Sequence, residues 1–191
     1  MTLKLTLKMI FTETKLKGCY IIEPKIIRDE RGYFMESFNE NTFQNGVEQQ
    51  VKFVQDNQSF STKGVLRGLH YQTGKHAQAK LVRVLQGEVL DVAVDIRLES
   101  ETYGQYEAVL LSSENQTQFF IPRGFAHGFL VLSATATFFY KCDNFYNKES
   151  EGGLIYNDDS VNIDWKFPAS ELLISEKDKI LPTLKNAKKV W

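Results

Sequence analysis

Apolar and polar residues alternate along most of this chain with a period of two, the repeat of a strand that buries one face. Leu3, Leu5, Leu7, Met9 and Phe11 alternate with Thr2, Lys4, Thr6, Lys8 and Ile10. Met9 offers a natural second start, so residues 1–8 read as an N-terminal extension outside the core. Residues 18–22 form a short apolar run stopped by Pro24, and residues 29–32 a turn. Residues 41–46 are the best helix candidate of the first half.

The middle of the chain is the most regular part. Residues 81–85 read as a strand, Gln86-Gly87 as a turn and residues 88–97 as a long strand. In that strand Val92, Val94 and Ile96 face one way, while Asp91, Ala93, Asp95 and Arg97 face the other. Residues 106–111, 118–121, 129–132 and 135–140 are further strands, 151–154 a loop, and 170–180 a loop or a short helix starting at Ser175. Short strands separated by turns, with almost no 3.6-residue period, predict an all-β sandwich or barrel. A chain of 191 residues can bury one substantial core, so residues 1–191 are expected to form a single domain.

Composition narrows the function classes. A net charge of −1 gives no global attraction to nucleic acid or an anionic membrane, so an anionic ligand must be caught by locally placed Arg and Lys. No apolar run approaches the roughly 20 residues of a membrane helix, and the N-terminus lacks a signal peptide's apolar region. Cys19 and Cys142 form no metal motif and read as reduced thiols. Together these predict a soluble cytoplasmic protein.

The candidate chemistry lies in two motifs that hold two of the chain's three histidines. These are Gly64-Val-Leu-Arg-Gly-Leu-His-Tyr-Gln72 and Ile121-Pro-Arg-Gly-Phe-Ala-His-Gly-Phe129, with Lys80, Asp91 and Asp95 between them. The spacing Pro122-x-Gly124-x-x-His127 is that of a second cupin box. The first box is only partly met: Gln72 occupies its second histidine place and His76 stands near its carboxylate place. Zinc or iron wants three or four convergent His or carboxylate ligands. A metal-free barrel with histidine as a base is therefore favoured over a metal-dependent cupin. His76 reads as a solvated loop residue, His127 as support for its own turn, and Asp91 and Asp95 as groups that barrel hydrogen bonds could satisfy.

From Met9 onward the chain resembles the dTDP-4-dehydrorhamnose 3,5-epimerases. The resemblance is carried by Arg28-Asp-Glu-Arg-Gly-Tyr-Phe-Met-Glu36, Gln55-Asp-Asn-Gln-Ser59, the two histidine motifs, Lys80-Leu-Val-Arg-Val84 and Gly87-Glu-Val-Leu-Asp-Val-Ala-Val-Asp-Ile-Arg97. Tyr140-Lys141, Tyr146 and Ser175-Glu-Lys-Asp178 continue it. It implies a cupin-type jelly-roll barrel with a few short helices, no metal, no cofactor, and a homodimer that exchanges N-terminal strands. It implies epimerisation at carbons 3 and 5 of dTDP-4-dehydro-6-deoxy-D-glucose, within dTDP-L-rhamnose synthesis. One departure stands out: Gln58 occupies a place where the family usually shows histidine.

The reaction explains the residue types. A proton next to a ketone leaves only if a base is in reach and the enolate is stabilised, and inversion needs an acid on the opposite face. His70 is the natural base, since its ordinary pKa lies near working pH. A carboxylate on its other nitrogen would fix the tautomer. By resemblance that carboxylate is Asp178, delivered by a C-terminal segment, about 170–191, that closes the site; Asp91 on the barrel wall is the rival. The resemblance further implies Lys80 as the cation meeting the enolate oxygen and Tyr140 as the acid. It implies Arg31, Phe34, Glu36, Gln55, Asn57, Arg67, Tyr146 and His127 as substrate contacts, with Phe34 stacking on thymine and arginines holding the diphosphate. The competing readings are a mono-epimerase or ketoisomerase of the same fold, and a sugar-binding jelly roll without catalysis.

Overall fold

The structure, a computed structural model, describes residues 9–191. Most of the alternating stretch over residues 3–11 thus lies outside the described residues. The chain begins with β1 (Ile10–Glu13), β2 (Tyr20–Glu23), β3 (Ile27–Asp29), β4 (Gly32–Phe34) and α1 (Glu40–Val47). There follow β5 (Gln55–Thr62), β6 (Val65–Gln72), β7 (Lys80–Gln86), β8 (Glu88–Asp95) and β9 (Tyr106–Ser112). Then come β10 (Gln118–Ile121), β11 (Phe125–Val131), β12 (Thr135–Cys142), β13 (Glu151–Gly153), β14 (Leu173–Ile174) and α2 (Glu176–Lys179). Among the described residues no helix is long and apolar enough to cross a membrane.

Two sheets face each other as a jelly-roll barrel. One runs β1-β2-β10-β7-β12-β5 and the other β13-β6-β11-β8-β9, with β14 added parallel to β6. β3 and β4 form a separate hairpin. The barrel interior is filled by Val82, Val84, Phe119, Ile121, Ala136 and Phe138 from the first sheet, and by Val89, Ala93, Phe125, Phe129 and Val131 from the second. Every strand turns alternate residues outward, and here the outward faces are also covered. On the first sheet Ile22, Leu81 and Phe120 pack under α1 through Phe43 and Val47, four residues apart on one helix stripe. Asn39 starts that helix by accepting a hydrogen bond from the Thr42 N–H at 3.1 Å.

On the second sheet Leu90, Val92, Val94 and Leu130 are sealed by Leu154, Val161, Trp165, Leu184 and Val190 of the C-terminal segment. This burial inverts the usual polarity of β8. Its aliphatic face turns outward under the C-terminal segment, and the face bearing Asp91 and Asp95 turns into the barrel, with both aspartates at 0 % exposure. Asp158 pins the segment down by accepting from the Leu184 N–H at 2.7 Å, and Tyr71 donates to the Lys188 carbonyl at 2.6 Å.

Three sequence expectations need correction. β11 begins at Phe125, so the strand includes His127 instead of starting after it; once Pro122 and Gly124 have made the turn, the chain extends at once. Residues 151–153 form β13, an edge strand on β6, because two glycines let the backbone lie against Tyr71 and His70. The long strand over residues 88–97 stops at Asp95, whose carboxylate turns the chain by accepting from the Arg97, Ser100 and Thr102 side chains.

Candidate active site

β6 and β11 lie unusually close, and glycine is the reason. Gly68 has φ +122°, and a Cβ there would stand 2.7 Å from the Gly128 Cα; one on Gly128 would stand 2.6 Å from the Arg67 carbonyl oxygen. The pairing register shifts between His127 and Phe129, and His127 stands directly opposite His70. The two histidines of the sequence motifs thus sit side by side in the barrel.

They open onto a cleft of about 580 Å³ lined by His70, His127, Lys80, Tyr140, Arg67 and Asp178, among others. A second lobe of about 330 Å³ shares Asn57, His70, Lys80 and Tyr140 with it and adds Gln55, Tyr146 and Glu151. The floor is aromatic: Phe129 and Phe138 stack at 4.1 Å, with Tyr140 and His127 at either side of Phe138.

His70 Nε2 lies 2.7 Å from Asp178 Oδ1. With the carboxylate as acceptor, Nε2 carries the proton and Nδ1 holds the free lone pair. Asp178 reaches this position because Ser175 caps α2, its hydroxyl oxygen accepting from the Asp178 N–H at 3.1 Å, and because β14 fastens the preceding residues to β6. Burial works to raise the Asp178 pKa, but hydrogen bonds from His70, the Gly68 N–H and Ser175 outweigh it, and the net shift is downward. The rival carboxylate, Asp91, is bonded elsewhere: both its oxygens face His127 Nε2, at 3.1 and 2.9 Å. Burial pushes the His127 pKa down, and the Asp91 carboxylate pulls against it.

Lys80 projects from β7 with its ammonium 5.8 Å from the centre of the Tyr140 ring. It forms no ion pair with the described residues within 4.0 Å. Burial lowers its pKa, and Cys142 and Asp91 pull it back up. Burial raises the pKa of the Tyr140 phenol, so it stays protonated. His70 and Tyr140 come from opposite sheets and enclose the cleft between them. A ring held there would lie between an imidazole and a phenol, with an ammonium also lining the cleft.

The polar contacts expected for substrate divide into two groups. Gln55 donates to Asn57 at 3.0 Å and accepts from the Tyr146 N–H at 3.4 Å, a chain along one wall. Arg67 Nε donates to Ser61 at 3.0 Å on the rim. Arg31, Phe34 and Glu36 do not line this cleft: Arg31 and Phe34 are exposed on the β3–β4 hairpin, Arg31 paired with Asp29 at 2.5 Å, and Glu36 accepts from Asn39 just beyond it.

Two cleft residues escaped sequence reasoning, Glu151 and Lys177, which bridge the rim at 2.6 Å. Glu151 was hidden because β13 is too short to show a period, and Lys177 because one lysine beside a predicted helix start has no signature. Gln58 lines the cleft beside Asn57. Cys19 and Cys142 are both buried and free. Among the described residues no three His, Cys, Asp or Glu side chains converge as a metal site would require; His76 lies apart on a short turn at Gly74–His76.

Comparison with known proteins places this geometry. Residues 13–186 match the family model described as dTDP-4-dehydrorhamnose 3,5-epimerase. The dTDP-4-dehydrorhamnose 3,5-epimerase of Shigella flexneri is 55% identical over 166 residues, covering 87% of this chain and 91% of that protein. The crystal structure of dTDP-4-dehydrorhamnose 3,5-epimerase from Elizabethkingia anophelis superposes with a TM-score of 0.91 at 57% identity, covering 96% of this chain and 99% of the other. The dTDP-6-deoxy-D-glucose-3,5-epimerase of Legionella pneumophila, solved in complex with dTDP-4-keto-L-rhamnose, superposes with a TM-score of 0.90 at 51% identity, covering 93% and 94% of the two chains.

Proposed function

The chain belongs to the dTDP-4-dehydrorhamnose 3,5-epimerase family, a family of isomerases, and from that premise we propose how its cleft carries out the reaction. His70 Nδ1 removes the proton from the carbon beside the substrate ketone. The electron pair moves into the carbonyl, and Lys80 meets the oxygen as it becomes an enolate. Tyr140 delivers a proton to the opposite face, and the carbon is inverted. The same step at the second carbon flanking the ketone completes the 3,5-epimerisation, consuming no cofactor because the substrate's own ketone supplies the acidity.

Each contribution has a size. General acid–base help is worth about 10²–10⁴-fold, so a base alone is inadequate. Preorganised charge at the oxyanion usually contributes more. Asp178 fixes the His70 tautomer and stabilises the imidazolium that forms, as a buried aspartate does in a hydrolase triad. The observation that carries the reading is the 2.7 Å His70–Asp178 bond opening onto a cleft that also holds Lys80 and Tyr140.

The nucleotide sugar is the substrate class, and Gln55, Asn57, Arg67, Tyr146 and His127 are its contacts from the same chain. Arg31, Phe34 and Glu36 serve the cleft of a second copy, which makes the working unit a homodimer with exchanged N-terminal strands; their absence from this chain's own cleft supports that arrangement. The reaction belongs to dTDP-L-rhamnose synthesis in the cytoplasm, a compartment that suits two buried free thiols.

Proton NMR of dTDP-4-dehydro-6-deoxy-D-glucose in deuterated water, with the protein and no added metal, tests the reading. Deuterium at both carbon 3 and carbon 5 is the expected result. Label at one carbon alone would assign a mono-epimerase. No label, with the protein folded, would overturn catalysis on this substrate.

A further inference from the structure

The reaction leaves one buried charge unused. Asp91 has 0 % exposure, and its only hydrogen-bonding partner among the described residues is His127. A carboxylate enclosed in this way is costly unless a positive charge answers it. Burial works against a full charge on the His127 ring, which weakens the answer it can give.

The charged and titratable groups around the cleft can be counted element by element. On β6, His70 is bonded to Asp178 of α2, and Arg67 is turned to Ser61 and the Phe60 carbonyl at the rim. On β12, Tyr140 and Cys142 both have their pKa values raised by burial and are uncharged. On β11 stands His127, bonded to Asp91, with burial disfavouring its charged form. At the rim Lys177 pairs with Glu151 and the Arg67 guanidinium meets only neutral partners; away from the rim the charges left are the anion Asp91 on β8 and the cation Lys80 on β7. The two strands are in opposite sheets; Asp91 is buried and bonded to His127, and His127 and Lys80 line the same cleft.

We propose that Asp91 is a positioning residue: held by His127 beneath the cleft, it is the counter-charge that keeps Lys80 cationic without binding it. This rests on the enolate role given to Lys80 above. The separation matters chemically. A direct ion pair would occupy the ammonium's donors and leave them unavailable to the substrate. A carboxylate further off supplies the field and leaves the donors free for the oxyanion. His127 is the spacer, since its Nε2–H occupies both carboxylate oxygens and prevents Asp91 from taking Lys80 directly.

The test reads Lys80 itself, in the full chain. Trace acetylation with acetic anhydride across alkaline pH, followed by peptide mass spectrometry, gives the midpoint at which Lys80 becomes a free amine. Asp91→Asn is expected to move that midpoint toward acid by about 1 pH unit or more, the size of a nearby-charge effect. The alkaline limb of deuterium exchange into substrate should move with it. A folded Asp91→Asn protein with an unmoved midpoint overturns the proposal, whatever its activity. If that variant does not fold, the unaltered protein decides through the ¹⁵N signals of His127. A neutral Nε2–H imidazole across neutral pH supports the proposal; an imidazolium would neutralise Asp91 on the spot and overturn it. Lys80→Met separates this inference from the reading beneath it. Full exchange in that variant would remove Lys80 from the chemistry and leave the Asp91 titration result standing.

Discussion

His70 faces the cleft through Nδ1 because its other nitrogen is occupied by Asp178, and the division of labour at the site follows from that one bond. His70→Ala should abolish deuterium exchange into the substrate. Tyr140→Phe should leave exchange at the first carbon and impair net inversion, a contrast read by NMR in deuterated water; equal loss in both variants would refute a two-face mechanism. Asp178→Asn should lower kcat by roughly 10²–10⁴-fold, because the amide no longer fixes the tautomer. The same variant has a stability signature. The Asp178 pKa is depressed in the folded protein, so its stabilisation is present above the usual carboxylate range and is lost as pH falls through the depressed value. The gap in Tm between the unaltered and Asp178→Asn proteins should therefore close on acidification; a gap constant with pH would contradict the pairing. At this scale the first histidine motif pointed to His70, whereas Lys80 and Tyr140 were given their roles only through the family resemblance. The choice between Asp178 and Asp91 was not legible in the sequence, because each stands far along the chain from the histidine it bonds, 108 and 36 residues away.

Alternation fixes which residues share a face, but says nothing of what covers that face. That limit explains what could be read of the elements. The period of two in β7, β8, β9 and β12 was plain, and Ser175 was legible as the start of α2. That both faces of β8 are buried could not be read, since a face under a C-terminal segment looks like any other apolar face. The start of β11 was hidden for another reason, because a box rich in Pro and Gly mimics a longer turn than it makes. The close approach of β6 to β11 depends on Gly68. Gly68→Ala should cost roughly 2–3 kcal/mol, from a residue forced to positive φ with its Cβ against backbone. For a domain of this size that is a fall in Tm of roughly 4–12 °C by calorimetry. An unchanged Tm would show that the two strands can part without loss.

At the scale of the whole molecule, one chain brings His70, Lys80 and Tyr140 to one cleft, yet keeps Arg31 and Phe34 exposed on a hairpin outside it. Mixing separately inactive chains tests whether a second copy uses them. Joint refolding of His70→Ala with Arg31→Ala chains should restore activity above either alone, because one site of the mixed dimer then receives an intact histidine and an intact arginine. No recovery in a demonstrated heterodimer would mean that both residues act within one chain. The C-terminal segment has a consequence of a different kind. It closes the outer face of the second sheet, and it also brings Asp178 to His70. Under the proposed mechanism, a growing chain that has emerged only as far as β12 holds His70, Lys80 and Tyr140 but lacks the carboxylate that readies the base, and so does any product broken off before α2. Under that mechanism full activity would come only after the barrel has been wrapped, and turnover would report that synthesis and folding have reached that point.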